Sequence, residues 1–369
     1  MDKPLAGLKV VELARILAGP WAGQLLADLG AEVVKIERPE IGDDTRHWGP
    51  PFAADGAAAY FHACNRGKRS LAIDLDTAQG QAQVRALAAE ADVLIENFKV
   101  GGLAKYGLDY ASLAVPNPGL VYCSITGFGQ DGPYASRAGY DFVIQAMGGA
   151  MSLTGEPDGP PQKSGVAYAD MFTGLYATVA ILAALRERDR TGRGAHVDMA
   201  LLDTQVAVLG NQALYWMVSG EVPRRMGNGH VNLVPYQAFE VADGEIVVAV
   251  GNDRQFERLC AILGLESLAR DERFATNPAR VVNRAALIPI LERAVRTRRR
   301  AELSDALEAA GVPAGPINAV DAVFADPQVV HRGLRIEGAS PGLASPIVID
   351  GLRQVSERPA PGLGEAGPC

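Results

Sequence analysis

The sequence predicts an α/β fold, with a large domain built on a parallel sheet and a smaller α+β domain. Over the first 130 residues, short apolar runs alternate with segments of helical period, which is the pattern of a parallel sheet covered by helices. Beyond residue 220, the apolar runs 239–241 and 246–250 flank an Asp-Gly turn, which is typical of a β-hairpin. The length of 369 residues is long for one core and short for three, so two domains are expected.

The first half of the chain supplies most elements of the predicted large domain. The expected strands cover residues 8–13, 31–36, 70–75, 92–95 and 120–125, and the expected helices cover 21–29 and 77–89. Residues 144–165 are rich in Gly, Pro and Ser and are predicted to form a loop. A long helix is expected over 171–188, followed by a strand at 196–199 and a second helix over 201–218.

The predicted smaller domain adds helices to the hairpin, at about 254–263, 279–296 and 301–310. Residues 311–316 are expected to form a linker. These segments divide the chain into a large domain over 1–200, a linker helix over 201–225, a small domain over 226–312 and a return to the large domain over 313–369.

Charge and composition exclude several classes of protein. The 35 basic and 43 acidic residues give a formal net charge of −8, which argues against a nucleic-acid binder or a protein drawn to anionic membranes. The arginines at 296 and 298–300 are therefore expected to be solvated. The four cysteines lie far apart without a CxxC pair, so neither a disulfide framework nor a zinc cluster is expected. The chain begins without a signal-peptide pattern, and the apolar stretch 171–185 is shorter than a membrane span, so we expect a cytoplasmic protein.

Several familiar catalytic motifs are missing from the sequence. The first predicted βα turn, residues 15–20, lacks the GxGxxG pattern of dinucleotide-binding proteins, which argues against nicotinamide or flavin chemistry. No two histidines have metal-ligand spacing, so no metal is predicted. There is also no G-x-S-x-G segment, so Ser-His-Asp catalysis is not supported.

Cationic residues flank the predicted strands at positions where open parallel sheets bind ligands. Arg38 follows the second strand, and Lys68 and Arg69 precede the third. Together they suit a polyphosphate ligand, although most surface Lys and Arg residues are simply solvated.

Asp170 lies between the Gly-rich loop and the long apolar helix. Its simplest role is that of an N-cap, for which Asp is a favoured residue. Its functional alternative is a carboxylate nucleophile, which the amide groups and dipole of the helix N-terminus would keep ionised. The two roles are compatible. Among the five histidines, only His230 lies in a glycine-rich stretch that can close over a site, residues 227–232.

Eight short motifs occur in order along the chain. They are PLAGLKVVEL at 4–13, LAGP at 17–20, LGAEVVKIE at 29–37, NRGKRS at 65–70, ENF at 96–98, GYD at 139–141, YAD at 168–170 and TGRG at 191–194. In this order and spacing they resemble the class III coenzyme A transferases, also called the CaiB/BaiF family. The resemblance covers nearly the whole chain.

The resemblance implies a fold, an assembly and a set of site residues. It implies a Rossmann-like large domain and an interlocked homodimer, with acyl-CoA and carboxylic acid as substrates and no separate cofactor. Asp170 matches the family's nucleophile, which forms a mixed anhydride and then an aspartyl-CoA thioester. The residues implied in CoA binding are Leu17, Ala18, Arg38, Ile73, Asn97, Phe98, Lys105, Arg137, Tyr140 and Asp141, and the implied covering loop is Gly227, Asn228, Gly229 and His230.

Two alternatives remain at this stage. The family also contains racemases of 2-methylacyl-CoA thioesters, which remove an α-proton with His and Asp. Those enzymes have His at the position of Tyr140, which favours the transferase here. A CoA-binding module without catalysis would leave Asp170 as a cap only.

Substrate class is suggested by two segments. Formyl-CoA transferases have Gln at the position of Leu17 and a longer all-Gly loop, so that specificity is not expected. Residues 227–239 are similar to members that use succinyl-CoA and other dicarboxylic acids. The second carboxylate of such a substrate needs a cation, and Arg46, Arg66 and Arg224 are candidates.

The chain departs from the family pattern in two places. Lys105 stands where many relatives have Arg, which replaces a forked donor by a point charge. Residues 362–369 begin like the family's Leu-Gly-Glu-His-Thr signature and then diverge, without the usual last helix.

Overall fold

The computed structural model describes residues 3–338 and 341–367, and it divides the chain into two compact units. The first unit comprises the N-terminal part through Met151, residues Lys163–Val222 and the chain from Pro327 onward. The second comprises Ser152–Gln162 and Pro223–Asp326. The division therefore differs from the predicted one, because residues 313–326 and the short stretch 152–162 belong to the second unit.

The first unit is built on a six-stranded parallel sheet of order β3-β2-β1-β4-β5-β6. Its strands are β1 Lys9–Glu12, β2 Glu32–Glu37, β3 Lys68–Ala72, β4 Val93–Glu96, β5 Val121–Thr126 and β6 Ala195–Ala200. Its helices up to residue 222 are α1 Ala18–Asp28, α2 Ala59–Asn65, α3 Ala78–Glu90, α4 Tyr110–Leu113, α5 Asp141–Met147, α6 Ala150–Leu153, α7 Tyr168–Thr191, α8 Leu201–Ala207 and α9 Asn211–Ser219. This confirms the predicted parallel α/β fold.

Helices cover both faces of this sheet. Leu26 of α1 and Ile181 of α7 pack with Val93 of β4 in one buried apolar cluster. Val84 of α3 packs with Leu94 in the cluster on the other face. Successive side chains of a strand point to opposite faces, so the near-continuous apolar runs of the central strands match a sheet that is buried on both sides.

Helices α1 and α7 approach each other closely at a glycine. A Cβ atom at Gly174 would lie 2.7 Å from the backbone oxygen of Ala18, which is too close for any larger residue without a shift. The start of α1 and the first turns of α7 are therefore in direct contact.

Several predicted boundaries in this unit are wrong. Strand β3 begins at Lys68 rather than at residue 70, because the Lys68 side chain is fully buried and paired within the core. The helix predicted over 201–218 is two helices, which are separated at Gly210, where φ is 52°. The predicted loop 144–165 contains the end of α5 and all of α6.

The second unit has a three-stranded antiparallel sheet, β7 Tyr236–Val241, β8 Gly244–Ala249 and β9 Ala314–Pro316. Its helices are α10 Asp253–Leu263, α11 Glu266–Arg270, α12 Asn277–Val282, α13 Arg284–Val295, α14 Arg300–Ala309 and α15 Val320–Ala325. The predicted hairpin is confirmed. The predicted linker 311–316 is wrong, because β9 pairs with β8, and the predicted helix 279–296 is broken at Asn283.

The chain from Pro327 returns to the first unit with α16 Pro327–His331 and four two-residue strands, Arg335–Ile336, Gly342–Leu343, Val348–Ile349 and Leu352–Arg353. The amide of Gly364 donates to the Ser70 hydroxyl at 3.0 Å, so the last described residues are attached to β3. Residues 368 and 369, including the fourth cysteine, lie outside the described residues.

Helix α7 is longer than the predicted 171–188. By length and composition alone its 24 residues are sufficient to cross a membrane, a test that core helices of soluble proteins also pass. Within the first unit it contributes Ala169, Ala177, Ile181 and Leu185 to the buried cluster of the sheet, so it packs as a core helix.

Candidate active site

A cavity of about 490 Å³ opens at the carboxyl ends of the strands in the first unit. Its wall comes from the turn after β1, the turn after β4, the end of β5, residues 135–140 and Asp170. Six residues of the predicted CoA-binding set line it: Leu17, Ala18, Asn97, Phe98, Arg137 and Tyr140. Open parallel sheets bind ligands at this edge, so the fold brings these residues and Asp170 to one ligand-sized space.

Asp170 is the third residue of α7, and the N-cap position belongs to Ala167, which makes no side-chain cap. The prediction that Asp170 caps the helix is therefore wrong. The helix begins two residues earlier than Asp170, because Tyr168 and Ala169 continue the helical backbone. The Asp170 side chain faces the cavity instead.

Asp141, the first residue of α5, caps α7 from a distance in sequence. Its Oδ1 atom accepts from the amides of Ala169 at 2.9 Å and Asp170 at 3.4 Å. Its Oδ2 atom accepts from the Gln145 side chain at 2.7 Å. Asp141 does not line the cavity, and its described hydrogen bonds join it to the first turn of α7 and to Gln145.

The electrostatics of Asp170 oppose the sequence-based expectation. Burial, and then the negative charge of Asp141, raise the pKa of Asp170 to about 7. A helix N-terminus was expected to keep the carboxylate ionised, but desolvation and a like charge outweigh it here. The Asp170 carboxyl therefore titrates near neutral pH, a property found in groups that exchange protons or bonds during catalysis.

Two aromatic residues near Asp170 are missed by sequence reasoning. Trp48 lines the cavity and packs edge-on against Tyr60, with ring centroids 5.3 Å apart. Burial, and then the charge of Asp170, raise the pKa of Tyr60 to about 12, so the phenol stays protonated near neutral pH. Neither residue lies in a periodic pattern or at a predicted strand end, so only the fold brings them together.

The cations at the cavity are held by protein groups. Arg15 and Arg38 bind opposite oxygens of Asp44, at 2.8 and 2.6 Å. The guanidinium of Arg137 lies 3.8 Å from the ring centroid of Tyr134. Arg15, Arg137 and Asp44 line the cavity, whereas Arg38 does not line it and is joined to its wall through the ion pair with Asp44.

The other cations and one apolar residue of the predicted set lie elsewhere. Lys68 is fully buried against Glu12, so the proposed polyphosphate contact through Lys68 is wrong, while Arg69 is exposed. The Ile73 side chain is buried in the sheet core and does not line the cavity. Lys105 lies over the Tyr106 ring at 4.3 Å and does not line the cavity.

The three arginines that were predicted as partners for the second carboxylate of a substrate differ in whether they are already paired within the protein. Arg46 pairs with Glu37 at 2.7 Å and Arg66 with Asp28 at 2.6 Å, and all four side chains are almost fully buried. Both arginines therefore form ion pairs inside the first unit. Arg224 is exposed in the second unit.

The glycine-rich segment lies in the second unit, where it borders a cavity of about 670 Å³. Gly227 has a φ of 56°, which a glycine adopts without strain. Arg284 donates to the carbonyls of His230 and Val231 at 2.7 and 3.0 Å. The Nδ1 atom of His230 is 3.0 Å from the amide of Asn232, from which it accepts, so the imidazole organises its own loop.

The described residues contain no group of three His, Cys, Asp or Glu side chains that could hold a metal ion. The cavity wall also presents no histidine. What the described site does offer is one carboxyl that titrates near neutrality and guanidinium groups in its wall. These suit covalent chemistry by a carboxylate on a substrate that carries phosphates.

The chain is similar to known CoA-transferases. The sequence model of CoA-transferase family III matches residues 5–366. The chain is 56% identical to a succinate–glutarate CoA-transferase of Agrobacterium fabrum, over 98% of this chain and 93% of that protein. It is 44% identical to the human succinyl-CoA:glutarate CoA-transferase, over 98% and 84%. A crystal structure of a CaiB/BaiF family protein from Brucella suis superposes with a TM-score of 0.90 at 59% identity, covering 100% of this chain and 98% of that one.

Proposed function

The chain belongs to CoA-transferase family III, and on that basis we propose that Asp170 is the nucleophile that carries CoA between two carboxylic acids. The observation that carries this proposal is the place of the Asp170 carboxyl, in the wall of the strand-end cavity and with a pKa raised to about 7. Near neutral pH a substantial fraction of such a group is ionised, and it is more nucleophilic than an ordinary aspartate.

The first half of the reaction transfers CoA to the enzyme. A carboxylate oxygen of Asp170 attacks the thioester carbonyl of the donor acyl-CoA, the C–S bond breaks, and a mixed anhydride and a CoA thiolate result. The thiolate then attacks the aspartyl carbonyl of Asp170 and releases the donor as a free carboxylate. The enzyme now holds CoA as an aspartyl thioester.

The second half repeats these steps in reverse. The acceptor carboxylate attacks the aspartyl thioester, expels the CoA thiolate and forms a new mixed anhydride. The thiolate attacks the acyl carbonyl of the acceptor, which gives the product acyl-CoA and frees Asp170. One thioester is exchanged for another, so the reaction requires neither ATP nor a separate cofactor.

The rim of the cavity suits the nucleotide part of CoA. Arg137 and Arg38 are placed to receive phosphate groups, since guanidinium donors match phosphate oxygens. Leu17 and Ala18 border the path to Asp170, and Phe98 adds an apolar surface beside them. The arrangement supports the CoA contacts that the sequence implied for these residues.

Dicarboxylic acids are the proposed substrate class. Relatives over nearly the full chain are named for succinate and glutarate, which are both dicarboxylates. Arg15 lines the Asp170 cavity, whereas Arg46 and Arg66 are engaged in the interior. Arg15, whose ion pair with Asp44 is partly exposed, is therefore the side chain that we propose for the carboxylate that does not react.

A second copy of the chain is the proposed partner, in an interlocked homodimer. Support comes from an apolar stripe on α7 whose side chains are exposed in the single chain: Phe172, Leu175, Tyr176 and Val179, the last at 64%. Helix α9 adds Trp216, Met217 and Val218. Exposed apolar surface on this scale marks protein interfaces. Light scattering should give the mass of two chains, and a monomer would contradict the assembly.

The experiment that tests the nucleophile is intact-mass analysis. Purified protein is incubated with succinyl-CoA, trapped with hydroxylamine or borohydride and compared with Asp170→Ala and with Asp189→Ala, which changes an exposed aspartate at the far end of the same helix. An adduct in the wild type and in Asp189→Ala, but not in Asp170→Ala, is expected. Absence of the adduct in all three would refute the proposed mechanism.

Proton exchange is the alternative chemistry within this family, and the cavity argues against it. Tyr140 takes the place of the racemase histidine, and no histidine lines the cavity in the described part of the chain. Incubation with a 2-methylacyl-CoA in deuterated water is expected to leave its α-position unlabelled. Deuterium incorporation without an Asp170 adduct would replace the transferase proposal by the racemase.

A further inference from the structure

The turn after β1 contains a residue in an unusual backbone conformation. Ile16 has a φ of 75°, in the left-handed region that β-branched residues rarely occupy. Such a conformation persists only where surrounding contacts fix it, and it occurs often at functional sites. Ile16 and Leu17 line the same cavity as Asp170, so the contacts that fix this turn also shape the site.

One set of contacts comes from Asn97, which directly follows β4. Its Oδ1 atom accepts from the Arg15 amide at 2.9 Å, and its Nδ2 atom donates to the Arg15 carbonyl at 2.7 Å. The carboxamide therefore pairs with the backbone at two points, as a neighbouring strand would. The Arg15 carbonyl belongs to the peptide group that joins Arg15 to Ile16, so Asn97 fixes one side of that group.

Asp43 holds the other side of the same peptide group. The Ile16 amide lies 3.3 and 3.2 Å from the two carboxylate oxygens of Asp43, which accept from it. Asp43 in turn pairs with the Lys35 ammonium at 2.9 Å, and both side chains are fully buried. The peptide is thus held at its oxygen by Asn97 and at its N–H by a carboxylate that cannot move freely.

The segment that carries Asn97 is itself fixed. Glu96 is buried, and its Oε2 atom accepts from the amide of Phe98 at 2.8 Å, which closes the turn around Asn97. The backbone around Asn97, at the end of β4, is therefore held in place by a buried side chain.

The turn is mechanically connected to the catalytic helix. The carbonyl of Ala18, two residues beyond Ile16, lies against Gly174, which is one helical turn after Asp170. Interiors are close-packed, so a displaced turn cannot leave the wall beside Asp170 unchanged.

We infer that Asn97 is a positioning residue of the transfer reaction. Together with Asp43 it holds the Arg15–Ile16 peptide so that Leu17 and Ala18 lie in a fixed arrangement beside Asp170. This rests on the proposed role of Asp170 as the nucleophile. It assigns Asn97 a different task from the direct CoA contact that the family resemblance implies.

The test compares Asn97→Ala with a matched control. Asn117 is also half-buried and also anchors backbone, since its Nδ2 atom donates to the carbonyls of Ala88 and Ala91 at 3.0 and 2.8 Å, but it does not line the cavity. For each protein we would measure the melting temperature, the maximal rate of adduct formation on Asp170 and the succinyl-CoA concentration that gives half that rate. Asn97→Ala is expected to lower the maximal rate about 10- to 100-fold, with less than about a threefold change in the half-saturating concentration. Asn117→Ala is expected to retain both kinetic values.

Two results would overturn the inference. A higher half-saturating concentration at an unchanged maximal rate would make Asn97 a CoA contact. Kinetic values for folded Asn97→Ala that match those of Asn117→Ala would make it a structural residue only. If Asn97→Ala does not fold, Asn97→Asp serves instead, because it keeps the acceptor for the Arg15 amide and loses the donor to the Arg15 carbonyl; the same fall in rate is expected.

Adduct formation by the wild-type protein distinguishes a failure of this inference from a failure of the proposed function. If the wild type forms no adduct, the proposed nucleophile is wrong. If the wild type forms the adduct and both asparagine variants behave alike, only the positioning role is wrong.

Discussion

Two aspartates of the first unit, the fully buried Asp43 and the half-buried Asp170, have pKa values that are shifted in opposite directions. Burial alone raises the pKa of each carboxyl, but the Lys35 ammonium and the Thr45 amide bring the pKa of Asp43 below its usual value. Asp170 has no cation against it in the described structure, and Asp141 adds a second negative charge, so its pKa is raised to about 7.

The surroundings of Asp43 form a balanced set of charges. Lys35 and Lys68 meet Glu12 at 3.0 and 2.8 Å, and Lys35 also meets Asp43. All four side chains are fully buried. Oppositely charged, hydrogen-bonded neighbours compensate for lost hydration, and two carboxylates without a cation do not. The comparison teaches that charge balance, rather than the extent of burial, decides in which direction the pKa of each carboxyl is shifted in this fold.

The largest effect is expected at Asp43. Asp43→Ala leaves the buried Lys35 ammonium with only part of its compensation, so the free energy of unfolding should fall by about 3 to 5 kcal/mol in chemical denaturation. The neighbouring Asp44→Ala is the control, because its ion pairs are partly exposed and should contribute at most about 1 kcal/mol. If the two variants lose the same free energy of unfolding, the buried ion pair of Asp43 contributes no more to stability than the partly exposed ion pairs of Asp44.

Asp170→Asn should change stability in the opposite direction, by raising the free energy of unfolding. The folded-state pKa is raised above the unfolded value of 3.8, so the fold favours the protonated carboxyl, and stability is lost as pH rises through about 7. At pH 8 the variant should therefore be up to about 4 kcal/mol more stable than wild type, and near pH 4 the difference should fall below about 1 kcal/mol. Denaturation at both pH values checks this, and a less stable variant at pH 8 would contradict the raised pKa.

A smaller effect is expected on the pH dependence of catalysis. Adduct formation needs ionised Asp170, so its rate should rise with pH to a plateau, with a midpoint near 7. Asp141→Asn removes the like charge but keeps an oxygen that can accept from the Ala169 amide, so the midpoint should move to lower pH by about one unit or less. Asp189→Asn, at the other end of α7, should leave the midpoint unchanged. A midpoint in Asp141→Asn that is as unchanged as in Asp189→Asn would show that the Asp141 charge does not act on Asp170.

The smallest effect on stability is expected at an exposed ion pair. Glu187 and Arg190 form an exposed ion pair near the end of α7, at 2.7 Å. Glu187→Ala should change the free energy of unfolding by no more than about 0.5 kcal/mol, because water and salt screen such a pair. A loss as large as that of Asp43→Ala would mean that proximity of charges alone, without burial, determines stability here.

Sequence patterns predict the sheet well and the site only in part. The apolar runs around Val10, Val33 and Val93 identify central strands, because side chains buried on both faces leave little room for polar residues. Lys68 breaks this rule, since its compensation by Glu12 comes from another strand and has no local signal.

The same limit applies to Asp170. Its place before an apolar helix is visible in the sequence, but the residue that caps that helix, Asp141, lies 29 positions away from it. The predicted cap is wrong for this reason, and the helix N-terminus does not hold the pKa of Asp170 low as expected. Contacts between residues that are distant in sequence, such as that of Asp141 with α7, can be identified only from the folded structure.

The bridge that Asp44 makes between Arg15 and Arg38 has a consequence for how ligands enter. Those arginines already hold an anion that belongs to the protein, so an arriving phosphate or carboxylate exchanges with Asp44 rather than meeting bare cations. The exchange displaces few counterions and costs little reorientation of the arginines. Ligand association at this rim should consequently show a shallow dependence on ionic strength.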